Sequence, residues 1–285
     1  MRLALLLAFL GTQAVAAPMT RSDCVNSWQK LMDLGAEFQS SFGIEDDESI
    51  PAGRSIEPQV TSDGWCRLKG GTVGLENAAF ATFDWQADGI AAFIEDGTPT
   101  ETLALRIDGV KDETGAPTYD ILLRTRLLRD NGLLLVEEFD FADADGDFIS
   151  LSAVFDGAWF GSLASAQSSF GGLTLQQMAA RVEVAPGRIN LIDGGVAELE
   201  NVIALLLDGL TAAQLPDPSR AALKALREDL PGARGTLNLR AVSERGLGWM
   251  QIAAAETFHT DATEAERLGF ALSGVTLGVD WDPVD

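Results

Sequence analysis

The densest group of side chains able to do chemistry lies between Glu137 and Asp147, where Glu137, Glu138, Asp140, Asp143, Asp145 and Asp147 follow one another closely. Asp143, Asp145 and Asp147 have the one, three, five spacing with which an EF-hand-type loop presents hard oxygen ligands to Ca²⁺. The pattern then breaks. Such a loop needs glycine at its sixth position and glutamate at its twelfth; here those are Phe148 and Val154, and Gly146 stands at the fourth. Strands rather than helices are expected on either side. The segment therefore reads as a hairpin turn with solvated aspartates, and weak calcium binding at Asp143, Asp145 and Asp147 is the one cofactor alternative.

Nucleophilic catalysis finds little support. Ser27-Trp28-Gln29-Lys30 matches the S-x-x-K motif of serine β-lactamases and penicillin-binding proteins, but the companion S-D-N and K-T-G motifs are absent. Trp28 falls on an apolar helical face, with Ser27 and Lys30 expected to look outward. His259 is the one histidine, and a hydrolase of the Ser-His-Asp kind would have to use it. No G-x-S-x-G elbow supplies a serine. His259 opens a polar segment after an expected strand, so it reads as a solvated loop residue.

Paired carboxylates for glycoside hydrolysis would need an acid and a nucleophile singled out by their surroundings. Nothing in the spacing does so, and the six tryptophans fall mostly among apolar neighbours. Gly70-Gly71 and Gly171-Gly172 are isolated pairs that read as turns rather than phosphate cradles.

Cys24 and Cys66 are the only cysteines. Two cysteines and one distant histidine cannot furnish the four nitrogen and sulfur ligands of a structural zinc site. A Cys24–Cys66 disulfide is the expectation, and it requires an oxidising compartment. The leading residues agree. Arg2, the apolar run Leu3 to Leu10 and the Ala14-Val15-Ala16 motif read as a secretory signal peptide cleaved near Ala16. That run is too short to span a bilayer. The expectation is a periplasmic or secreted protein with no transmembrane segment after cleavage.

The charge balance excludes partners of one class. Forty-three acidic residues face twenty basic ones, giving a net charge of −23. Such a field repels phosphate backbones, so nucleic-acid binding is not expected.

The elements that would position these residues belong to one α+β fold, predominantly antiparallel β-sheet with an N-terminal helix and an inserted helical pair. Thr20 with Asp23 three residues on is an N-terminal capping pattern, and Val25, Trp28, Met32, Phe38 and Phe42 recur at helical spacing through 20–42. From 65 to 160 the signals are strands, with further strands at 75–86 and 101–110. Asp130-Asn131-Gly132 and Asp145-Gly146 separate apolar runs and predict a three-stranded meander over 119–156. Ile149, Leu151, Ala153 and Phe155 alternate along its last strand and form a candidate buried face.

Residues 173–184 are ambiguous between helix and strand. Leu199, Val202, Ile203, Leu206 and Leu210 predict a helix over 196–210, and Asp217-Pro218 opens a second one ending at Pro231-Gly232. Strands are expected at 235–243, 247–257 and 268–281. The repeated T-L-x-L-R pattern at Thr102–Arg106 and Thr236–Arg240 reads as coincidence between two amphipathic strands rather than a duplicated unit.

Together these features predict a single exported domain over 17–285 that binds rather than reacts, with an unidentified ligand or envelope protein as partner. An apolar, lipid-like ligand is the favoured class, because a sheet with a helix laid across it can enclose one. The run Leu205-Leu206-Leu207 exceeds what one helical stripe needs. A carboxylate-based hydrolase and an envelope interaction protein without a small ligand are the alternatives.

Overall fold

The computed structural model describes residues 17–41, 57–73, 78–111, 119–143, 146–161, 170–186, 195–258 and 261–284. Residues 1–16, where a signal peptide is expected, Asp145 and His259 lie outside them. Ten strands form one sheet whose spatial order is its chain order, every neighbour antiparallel. They are β1 (Gln59–Val60), β2 (Cys66–Val73), β3 (Ala78–Asp88), β4 (Thr102–Val110), β5 (Tyr119–Leu128), β6 (Leu133–Asp143), β7 (Gly146–Asp156), β8 (Thr174–Val184), β9 (Gly235–Gly248) and β10 (Val275–Pro283). Sequential pairing of this kind needs only short connections, which is why turn residues punctuate the chain so regularly.

The expected meander over 119–156 is present as β5, β6 and β7. Its first turn is wider than a two-residue hairpin. Arg129–Asn131 form one 3₁₀ turn, and Gly132 follows with φ 61° and ψ 30°. A Cβ there would lie 2.4 Å from the Trp159 ring, so both backbone angle and packing require glycine. The second turn is shifted by one residue from Asp145-Gly146, because Asp143 pairs with Gly146 inside the ladder.

Helices cover the two ends of the sheet. At the first end, α1 (Arg21–Ser41) begins with the expected cap: Thr20 N donates to Asp23 Oδ2 at 2.9 Å, and Asp23 N donates to Thr20 Oγ1 at 3.2 Å. The Cys24–Cys66 disulfide joins this helix to β2, with 5.3 Å between the Cα atoms. Around it Met19, Leu68, Phe80 and Trp85 are buried, and α2 (Ile90–Asp96) adds Ile90. Ser27 corrects the sequence expectation. It is buried rather than outward, accepting from Trp85 Nε1 at 3.0 Å and donating to the Cys24 carbonyl at 3.3 Å.

At the other end, α3 (Gly195–Gly209) and α4 (Asp217–Asp229) form the expected helical pair, and Ile203, Leu223 and Leu226 bury against β8–β10 with Val279 and Trp281. Fully burying such an aliphatic side chain stabilises by roughly 1.5–3 kcal/mol. The expected strands at 247–257 and 268–281 need correction. β9 stops at Gly248, α5 (Trp249–Phe258) and α6 (Glu264–Ala271) follow, and only Val275 onward is strand. The run Ile252-Ala253-Ala254-Ala255 lacks the polar alternation of a half-buried strand, and alanine is the strongest helix former. Helices α3 and α6 cross closely: a Cβ on Gly209 would lie 2.2 Å from the Ala265 carbonyl oxygen.

The T-L-x-L-R segments fall in β4 and β9. Four strands follow the first, whereas helices and one strand follow the second, so no duplicated unit surrounds them. No helix among the described residues is long and apolar enough to cross a membrane.

Candidate functional site

Between the two helix-covered ends, β5 to β7 carry no helix on either side among the described residues and β8 meets the helical pair only at Val182 and Val184, and the two faces of these strands differ sharply. The register builds one face as four rows running across the strands. These are Ile121, Phe141, Ile149, Val182; Leu123, Phe139, Leu151, Ala180; Thr125, Val136, Ala153, Met178; and Leu127, Leu134, Phe155, Leu175. Thr125 is the single polar side chain in the array. The alternation expected of Ile149, Leu151, Ala153 and Phe155 is present, but only Ala153 of these four is buried. Of the fifteen apolar residues only Val182 packs against either helix-covered core, and only Leu127 and Ala153 are buried. Four strands at about 4.8 Å spacing set the outer strands of the array roughly 14 Å apart. Apolar surface on that scale marks an interaction site more often than a free surface.

The opposite face is charged and lines a trough of about 1080 Å³. Arg106 of β4 lies over the Trp65 ring, 5.3 Å from its centroid. Arg124 pairs with Glu138 at 2.9 Å and Arg126 with Glu137 at 2.8 Å. The register bulge between Arg124 and Thr125 brings the adjacent residues Glu137 and Glu138 opposite two arginines of β5. Asp140 Oδ1 accepts from Ser150 Oγ at 2.6 Å. Three of the acidic residues singled out in the sequence therefore serve polar-face pairs. A carboxylate hydrolase needs an acid and a nucleophile free to act; here Glu137 and Glu138 are each held by an arginine.

The same charged face continues toward the first end. Arg67 forks onto buried Asp84, with Nε–Oδ1 at 2.7 Å and Nη2–Oδ2 at 2.5 Å. This bond raises the Arg67 pKa above its ordinary value. Asp84 lies beneath the guanidinium with 2 % of its side chain exposed, so the arginine is what makes its burial tolerable.

Of the calcium candidates, Asp143 closes β6 opposite Gly146, Asp147 of β7 pairs with Ala142 of β6, and Asp145 lies outside the described residues. No group of three or more histidine, cysteine, aspartate or glutamate side chains among the described residues could hold a metal. Ser27 of the S-x-x-K motif is a structural hydrogen-bonding residue beside the disulfide. Tyr119 stacks on Phe141, ring centroids 4.7 Å apart. Among the tryptophans, Trp85 and Trp281 are core residues, whereas Trp159 and Trp249 are exposed.

The molecule is thus an α+β protein whose ten-stranded meander is amphipathic across its middle, apolar on one side and arginine-lined on the other. No protein-family model, curated protein or solved structure matches the chain.

Proposed function

We propose that this is an exported, non-enzymatic protein of the cell envelope that holds an apolar, lipid-like ligand on the uncovered middle of its sheet. The observation that carries the reading is the array over β5 to β8, in which fifteen of sixteen positions are apolar and only one touches a helix-covered core. A sheet folding only for stability gains by covering such a face, as α1 and α4 do at its two ends. Apolar surface left between two covered ends is surface reserved for a ligand.

Export is supported by the disulfide and by the way the chain is tethered just past the A-x-A motif. Ala17 N donates to Asp88 Oδ1 at 3.0 Å, and Thr102 Oγ1 donates to Asp88 Oδ2 at 2.9 Å. Met19 is buried, and its N donates to the Gly64 carbonyl at 2.9 Å. Cleavage after Ala16 would turn the Ala17 amide into an ammonium, and its contact with Asp88 into an ion pair.

Native mass spectrometry of the protein purified from the periplasm tests both parts. The reading expects a chain beginning at Ala17, together with a co-purifying apolar mass that organic solvent removes. A chain retaining residues 1–16 contradicts export by cleavage. Bare polypeptide across repeated preparations, or a stable dimer burying the array, contradicts the ligand.

A further inference from the structure

The trough on the opposite face reverses the charge balance of the protein around it. The whole chain has 20 basic and 43 acidic residues. The trough is lined by four arginines (Arg106, Arg124, Arg126 and Arg181) and two carboxylates (Glu137 and Glu138); those carboxylates pair with Arg126 and Arg124, and Arg181 pairs with Glu183 beside it. The surrounding negative charge stabilises such a lining without any ligand, so the case for an occupant rests on the groups left unpaired within it.

One atom there is left without a partner. Arg126 Nη2 holds Glu137, but its Nε is buried with no hydrogen-bond acceptor. A buried guanidinium donor without an acceptor is a position that an incoming oxygen anion would satisfy. Arg106 likewise contacts the Trp65 ring and forms no ion pair among the described residues.

The remaining lining narrows the anion. Ser150 and Ser152 of β7 offer hydroxyl groups between the arginines of β5 and Arg181 of β8, and Gln177 of β8 and Asn238 of β9 add amide groups beside Arg181. Uncharged donors and acceptors interleaved with arginines suit a ligand that is mostly hydroxyl with spaced single charges. A dense polyphosphate would face Glu137 and Glu138 without enough cations to offset them. The arginines of the lining run from β4 to β8, four strand spacings or roughly 19 Å, so the occupant is elongated rather than a single small ion.

We propose that this arginine-lined trough binds an acidic oligosaccharide, a chain of sugars bearing carboxylates, laid across strands β4 to β8. The apolar array is on the other side of the sheet, so this binding is independent of the lipid-like ligand.

Isothermal titration of the mature protein with hexagalacturonate tests it, with maltohexaose as the neutral counterpart and polyphosphate as the dense anion. Saturable hexagalacturonate binding that weakens with salt is expected, with little binding of maltohexaose. Arg126→Gln should weaken it by about tenfold or more, the size of a lost charge-assisted contact. Arg181→Gln gives a second reading at an exposed site where folding is not at stake, and circular dichroism verifies both folds. No binding of hexagalacturonate overturns the proposal. Equal or tighter binding of polyphosphate overturns the sugar, equal binding of maltohexaose overturns the charge, and folded variants with unchanged affinity overturn the place.

Discussion

The first end of the sheet and its middle are built from the same alternating strands, yet they use their apolar faces differently. At β2 and β3, Leu68 and Trp85 are sealed beneath α1, and the disulfide holds that helix in place. At β6 and β7, Phe139 and Leu151 occupy equivalent inward positions and remain half-buried, with no helix among the described residues over them. The difference teaches that stability is concentrated at the ends and that the middle is held open between them. Mutations should therefore separate into two kinds: those at the ends cost folding, and those in the middle cost binding.

The sharpest test of the closed end is its buried charge. Arg67→Met leaves Asp84 without its partner beneath the sheet, and such a loss destabilises by roughly 3–5 kcal/mol. The Arg67 head is about one-third exposed, so urea denaturation should find the loss near the lower bound. Next, Cys24→Ser with Cys66→Ser opens a loop with a sequence separation of 42. Chain entropy gives a loss of roughly 3–4 kcal/mol, read as a lower midpoint in the same titration. Thiol reagents should label the native protein only after reduction.

The middle should respond the other way. Leu151→Ser removes a half-buried side chain that packs against neither core, so its stability cost should stay below about 1.5 kcal/mol, short of that for a sealed leucine. A loss as large as that of Leu226→Ala, about 2–5 kcal/mol for a fully buried site, would erase the distinction between ends and middle.

The smallest effect concerns pH. Thr263 and Glu266 form a reciprocal cap on α6, and hydrogen bonds from the Thr263 backbone and side chain lower the Glu266 pKa. A depressed carboxylate stabilises fully above its unfolded value of roughly 4.3 and loses that contribution as pH falls through the native value. The Tm gap between wild type and Glu266→Gln should be widest near neutral pH and close below pH 4. Loss of the gap with rising pH would contradict the cap.

Much of the frame was legible in the sequence because its signals are local. Thr20 and Asp23 sit three residues apart, Asp130-Asn131-Gly132 stands between two apolar runs, and Leu223 and Leu226 keep helical spacing. The strand expected at 247–257 failed because Trp249, Met250, Ile252 and the alanines after them mark no single face. Helix or strand there is decided by alanine propensity and by Gln251, whose Nε2 donates to the Ala271 and Ser273 carbonyls.

The candidate sites were the least legible. Ile149, Leu151, Ala153 and Phe155 could be read as one face, but that nothing among the described residues covers them depends on where α1 and α3 end. The trough depends on register, since the bulge in the β5–β6 ladder is what sets Glu137 and Glu138 opposite Arg126 and Arg124.

The central claim is that the apolar middle of the sheet is a binding surface, and titration with 1-N-phenylnaphthylamine tests it most directly. The mature protein should enhance the fluorescence of this apolar probe saturably. Leu151→Asp should abolish the enhancement, while Arg181→Gln, on the opposite face, leaves it intact. Absence of saturable enhancement, or an unchanged response in a folded Leu151→Asp variant, would contradict the account.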